Sequence, residues 1–144
     1  MALLYHWRKE NYESDMATHG NDFDELCLVS NSNRWRDADS GEWCFAFSRR
    51  QDGIYVLVAV YQIEAIETTR SEYGKYLGIC RGGTATWYDP EVGSDIEPTI
   101  RSLPISLKNP SLGRNFQGLA AVKSIDIKGE CALHRFADKQ PLLE

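Results

Sequence analysis

The chain has 144 residues, 42% hydrophobic and 26% charged, the balance of one soluble globular domain with one core, expected to span residues 1–144. Its net charge of −5 argues against a strong non-specific grip on nucleic acid, which rests on Lys and Arg neutralising phosphates, yet leaves room for a local basic face. No apolar run approaches the roughly 20 residues of a membrane span, and the opening Met1-Ala2-Leu3-Leu4-Tyr5-His6-Trp7 is too short and too polar for a signal-peptide core, so a cytoplasmic protein is expected.

In chain order, Leu3 to Trp7 reads as a short strand and Glu10 to Thr18 as a helix, with Tyr12 and Met16 on one face and Gly20 as a stop. Leu26 to Ser30 suits a buried strand, followed by the polar turn Asn31-Ser32-Asn33, then Trp35 and the loop Asp37 to Gly41. Trp43 to Ser48 alternates, with Trp43, Phe45 and Phe47 on one face and Cys44, Ala46 and Ser48 on the other. Gln51-Asp52-Gly53 signals a hairpin into a long strand from Ile54 to Ile66, apolar on both faces as far as Gln62. Lys75 to Cys80 and Thr84 to Tyr88 predict a second hairpin through Arg81-Gly82-Gly83. Ser94 to Glu97 carries a capping-box pattern for a short helix through Leu103, which Pro104 ends. Ile105 to Leu107 reads as a brief extended piece before the Asn109-Pro110 turn, and Ala120 to Ile125 as the last strand. A closing helix from Lys128 to Ala137 places Leu133 and Phe136 inward, against the helix-weakening Gly129. Many aromatic strands with two or three short helices predict an α+β fold, a small curved mixed barrel.

The signatures of common catalysts are missing: no phosphate loop, no zinc helix, no nucleophile elbow. The four cysteines, Cys27, Cys44, Cys80 and Cys131, lack Cys-x-x-Cys spacing, and His6, His19 and His134 add no metal-ligand pattern, so neither metal nor cofactor is expected. A dyad of Cys44 or Cys80 with His6 or His134 is the one nucleophilic arrangement left open, and nothing in the sequence marks either thiol as activated.

What remains is aromatic and amide chemistry. In Leu112-Gly113-Arg114-Asn115-Phe116-Gln117-Gly118 a guanidinium fork, two amides and a ring sit between glycines, ahead of an apolar strand. Trp35, Trp43, Phe45 and Phe47 cluster near Asn31, Asn33 and Arg34. An unstacked base needs flat apolar walls and a few amide groups for its edge. The Trp43–Phe47 face equally suits a hydrophobic core, and the asparagines equally suit a turn. Trp35, between two arginines, is the ring least suited to a core. Arg34, Arg36, Arg49 and Arg50 bracket the same segment as a phosphate-binding face, diluted by Asp37, Asp39 and Glu42.

Tyr5-His6-Trp7-Arg8 with Asn11-Tyr12, the Asn31-x-Asn33 turn, Trp43-x-Phe45-x-Phe47-x-Arg49 and Gly113-Arg114-x-Phe116-Gln117-Gly118 come in an order that resembles bacterial domains related to the PUA-like barrels, which include the EVE, YTH, ASCH and SRA modules. The resemblance covers nearly the whole chain through moderately specific motifs. It implies a barrel that holds a modified or flipped nucleobase of DNA or RNA, in restriction or phage defence, acting alone, with a separate nuclease or helicase effector, or as one domain of a larger protein. Base-binding residues would then be Asn31, Asn33, Trp35, Trp43, Phe45, Phe47, Arg114, Phe116 and Gln117, and no chemical step is expected. Two other readings compete: an acidic protein-interaction accessory factor, and a small ASCH-like hydrolase of nucleotide-like substrates.

Overall fold

The computed structural model describes residues 2–19, 27–30, 33–71, 74–103 and 122–143. In chain order these form β1 (Ala2–His6), α1 (Lys9–His19), β2 (Cys27–Ser30), α2 (Asn33–Arg36), β3 (Trp43–Arg49), β4 (Tyr55–Ser71), β5 (Gly74–Cys80), β6 (Thr86–Trp87), α3 (Glu97–Ser102), β7 (Val122–Ile125) and α4 (Ile127–Asp138). The strands make one mixed, mostly antiparallel sheet in the order β2-β5-β4-β3-β1-β7, with β6 also on β4. Its parallel pair is β1 with β3, with Ala2 opposite Trp43 and His6 opposite Phe47. The α+β class read from the sequence is therefore observed. Among the described residues no pairing joins β2 to β7, so the sheet is curled and open.

Both faces of the sheet are buried, which is why β4 reads as a nearly continuous apolar run. On one face, Leu4, Phe45, Phe47 and Leu57 pack under Ile96, Ile100 and Leu103 around α3 and Leu133 of α4. On the other, Leu3, Tyr5, Cys44, Ala46 and Tyr61 pack against Tyr12 of α1, Leu28 of β2 and Trp35 of α2. The alternation along β3 thus sorts one set of residues to each core.

Strand β4 spans 17 residues and bends because it carries irregularities. Between Ala46 and Phe47 its register skips Val58, so Val58 and Ala59 both enter the same core. A second shift, between Ile63 and Ala65, leaves Glu64 outside the pairing. These bulges curl the sheet until Tyr5 on β1 donates its hydroxyl to the Val29 carbonyl of β2 at 2.6 Å.

Three local expectations change. Strands β5 and β6 do not form a hairpin with each other; both pair with β4, and residues 81–85 loop around Gln62. Its carbonyl accepts from Arg81 N at 2.8 Å and its amide donates to Thr84 Oγ1 at 3.1 Å. The capping box also does not form: Ile96 takes the cap position of α3, and the Asp95 carboxylate accepts from Glu97 N at 2.9 Å. Finally, Trp35 is core. It is fully buried, its ring lies 5.3 Å from that of Tyr5, and its indole N–H donates to the Leu28 carbonyl at 3.0 Å. A polar stretch that folds as one helical turn points a single residue inward, so flanking arginines do not keep the ring in solvent.

Helix α4 starts on Asp126, whose carboxylate accepts from Gly129 N at 2.8 Å, and it buries Leu133 as expected. The expected extended piece at 105–107, the Asn109-Pro110 turn and the loop 112–118 lie outside the described residues.

Candidate functional site

Of the base-binding residues expected from the sequence, the four described aromatics are divided between the two faces of the sheet. Phe45 and Phe47 are buried in the core beneath α3 and α4. Trp43 is half-buried, with its ring edge-on to His134 at 5.1 Å. Trp35 belongs to the opposite core, across the sheet from Phe45 and Phe47. Asn31, Arg114, Phe116 and Gln117 lie outside the described residues, as do the side chains of Asn33 and Arg34.

The four expected phosphate-binding arginines separate by their partners. Arg36 forms a two-pronged pair with Asp37 at 2.8 and 3.1 Å, which holds the Asp37 carboxyl below the usual range. Arg50 is committed to its own loop. Its Nε and Nη2 donate to the Asp52 carboxylate, and its Nη1 donates to the carbonyls of Pro90, Glu91 and Gly93 at 3.0–3.1 Å. This clasp ties the β3–β4 hairpin to the loop before α3, and Gly53, at φ 90°, lets the hairpin turn. Arg49 differs: it is exposed and forms no ion pair among the described residues.

Arg49 borders a cleft of about 510 Å³ at the ends of β1 and β3, shared with His6, Arg8, Lys9 and Tyr55. Strand β1 ends at His6 and α1 begins at Lys9, so Arg8 sits at the corner and Lys9 in the first helical turn. Arg8 is exposed and without an ion pair among the described residues, while Lys9 leans to Glu13 at 3.8 Å. The first amides of α1 add the partial positive charge of a helix start. Among the described residues Glu10 is the one carboxylate on this cleft's lining. The floor is aromatic: His6 stacks on Phe47 at 5.1 Å, and Tyr55 meets both rings edge-on at 5.8 and 5.9 Å. Burial pushes the Tyr55 phenol up, and the neighbouring Arg49 guanidinium pulls it back down.

A second cleft, about 430 Å³, lies on the other side of the hairpin against α1. Val56, Val58 and Ser48 are among its lining residues. Ser48 is 2% exposed, and its Oγ has no hydrogen-bond partner among the described residues. Burial pushes the Tyr12 phenol at its edge up to about 12, with the Asp89 carboxylate adding to the rise.

Of the two thiols in the dyad left open by the sequence, Cys44 gains no activation. Cys44 is fully buried, burial pushes its thiol well above the usual range, and no cation offsets this. Among the described residues no cluster of His, Cys, Asp or Glu is placed to hold a metal ion, and no helix is long and apolar enough to cross a membrane.

Sequence reasoning missed His6, Arg8, Lys9 and Tyr55 as one group. The first two lay in the Tyr5–Arg8 motif, where a histidine and an arginine close an otherwise apolar strand. Nothing local pointed to their meeting Arg49, because the parallel β1–β3 pairing that joins them is long-range. No family model matches this chain, and no curated protein matches it either.

Proposed function

We propose that this protein binds nucleic acid through the cationic cleft at the ends of β1 and β3. The observation that supports this is the convergence of Arg8, Lys9 and Arg49, from two separate elements, around a floor made by His6 and Tyr55. Arginine forks and a helix start suit phosphate oxygens, and aromatic rings beside them suit a base or sugar. On this reading Arg50 and Arg36 are structural, and the grip comes from a local patch on an acidic chain. The finer fold we infer is a PUA-like barrel, supported by the curled mixed sheet with helices on both faces.

Three cations on phosphates give a duplex-binding salt slope of about −2.7 in log K against log salt, and removing one lowers its magnitude by about 0.9. The test is fluorescence polarisation with matched DNA and RNA oligonucleotides, unmodified or carrying methylated cytosine or adenine, over a salt series. Binding that weakens with salt, and a shallower slope for Arg8→Ala and for Arg49→Ala but not Arg36→Ala, is expected. Equal binding by all variants, or none to any probe, overturns the reading.

A further inference from the structure

We propose that the cationic cleft takes the phosphorylated end of a nucleic-acid strand, a terminal phosphomonoester, in preference to phosphates inside the strand. This rests on the nucleic-acid reading above and names the part of the ligand that the cleft holds. The argument starts from where the charge lies. Arg8 and Arg49 are exposed and form no ion pair among the described residues, and Lys9 has only a 3.8 Å pairing with Glu13. These three cations border one cleft of about 510 Å³, the scale of a site that encloses one small group rather than a length of strand. A terminal phosphomonoester brings about −1.5 to −2 charge at neutral pH and three strong acceptor oxygens, whereas an internal phosphodiester brings a single charge. Cations gathered at one point therefore favour the end. Glu10, on the same lining, opposes either anion and leaves the balance cationic.

What lies beside the cleft decides how a strand leaves it. The hairpin residues Arg49, Arg50 and Gln51 also border the second cleft, whose lining holds Glu13, Asp52 and Glu91, all exposed. Arg50 offers nothing to a strand on that side, because its donors are taken by Asp52 and by the carbonyls of Pro90, Glu91 and Gly93. Glu91 and Asp95 both act on this guanidinium, and neither forms an ion pair among the described residues. A strand running through the cationic cleft would carry its next phosphates over these carboxylates, where like charges repel. A strand that ends in the cleft avoids the acidic side and leaves only in the other direction. Concentrated cations on one side of the hairpin and carboxylates on the other thus select an end over a middle.

The test is fluorescence polarisation of the full chain with one internally labelled single strand in four forms: 5′-phosphorylated, 3′-phosphorylated, hydroxyl at both ends, and circularised. A phosphorylated form should bind about tenfold to hundredfold tighter than the hydroxyl-ended and circular forms, and the arm that does so names the end. Arg8→Ala and Arg49→Ala, both exposed changes, should each cut that preference to about threefold or less, and Arg36→Ala should leave it intact. Glu91→Lys should tighten the circular form about threefold by lowering the acidic barrier. Hydroxyl-ended and circular strands binding as tightly as phosphorylated ones, with Arg49→Ala weakening all alike, overturns the strand-end inference and leaves the nucleic-acid reading standing. A preference that survives Arg49→Ala, or a circular form indifferent to Glu91→Lys, also overturns it. So does a free nucleoside monophosphate that competes as well as the phosphorylated strand, which would make the ligand a small phosphomonoester. No binding by any form overturns both the inference and the reading beneath it.

Discussion

Gly78→Ala places a methyl group inside the Trp35 ring. A Cβ at residue 78 would overlap Trp35 Cζ2 and lie 2.5 Å from Cε2 and 2.8 Å from Cη2, in van der Waals conflict with ring carbons that have no flexible end to move. Trp35 is fully buried and held by its bond to the Leu28 carbonyl, so it escapes only by breaking that bond and shifting the packing on Tyr5. Overpacking of this kind costs about 1–3 kcal/mol, and loss of the buried indole bond adds about 1–2 kcal/mol, for about 2–5 kcal/mol together. At about 2–4 °C per kcal/mol for a domain near this size, Tm falls by about 4–20 °C. Urea unfolding and thermal melting of the wild type and variant measure this directly. The control is the same substitution beside Trp35→Leu, which removes the ring. There Gly78→Ala should cost under about 1 kcal/mol, and the difference between backgrounds is the clash itself. A Gly78→Ala protein within about 0.5 kcal/mol of wild type would refute the assignment of Trp35 to the core.

Other expectations follow from single side chains. Ser48→Ala removes a hydroxyl with no partner among the described residues, so urea unfolding should show stability unchanged or raised by up to about 1 kcal/mol, whereas a bonded hydroxyl would give a loss of about 1 kcal/mol. The Arg50 hydrogen bond, and then the Ile54 amide, hold the Asp52 carboxyl below its usual range. A depressed carboxylate stabilises the fold above its unfolded value of about 3.9, and that contribution is lost as pH falls through the lowered folded value. Asp52→Asn should therefore flatten the acid limb of a stability–pH curve, and an unchanged limb would show that the clasp contributes nothing. Asp126→Ala removes the cap of α4 and should cost about 1 kcal/mol in urea unfolding, which a wild-type midpoint would contradict.

The local pattern carried much of the fold. The alternation from Trp43 to Ser48 sorts residues to the two cores as the period of two requires, and the apolar run of β4 is buried on both faces. Pairing was not legible in the same way. Whether Thr86–Trp87 returns to β5 or to β4 depends on the length and bulges of β4, which no short window reveals. Trp35 was misread for a related reason: its arginine neighbours describe the chain locally, while burial is decided by Gly78, which leaves room for the ring 43 positions later. For the candidate site, Arg49 was legible as a charge next to an aromatic strand. Its separation from Arg50 was not, since Arg50 finds its carbonyl acceptors 40 to 43 residues along the chain. Likewise His6 and Arg8 acquire a shared cleft with Arg49 only through the β1–β3 pairing.

The most direct test of nucleic-acid binding at the cationic cleft is an amide and side-chain NMR footprint of a short oligonucleotide on the full chain. The account predicts the largest shifts at His6, Arg8, Lys9, Arg49 and Tyr55, fading as salt is added, with Trp35 and Arg36 unmoved. Shifts centred on Trp43 and His134, or no localised shifts at any salt, would contradict it.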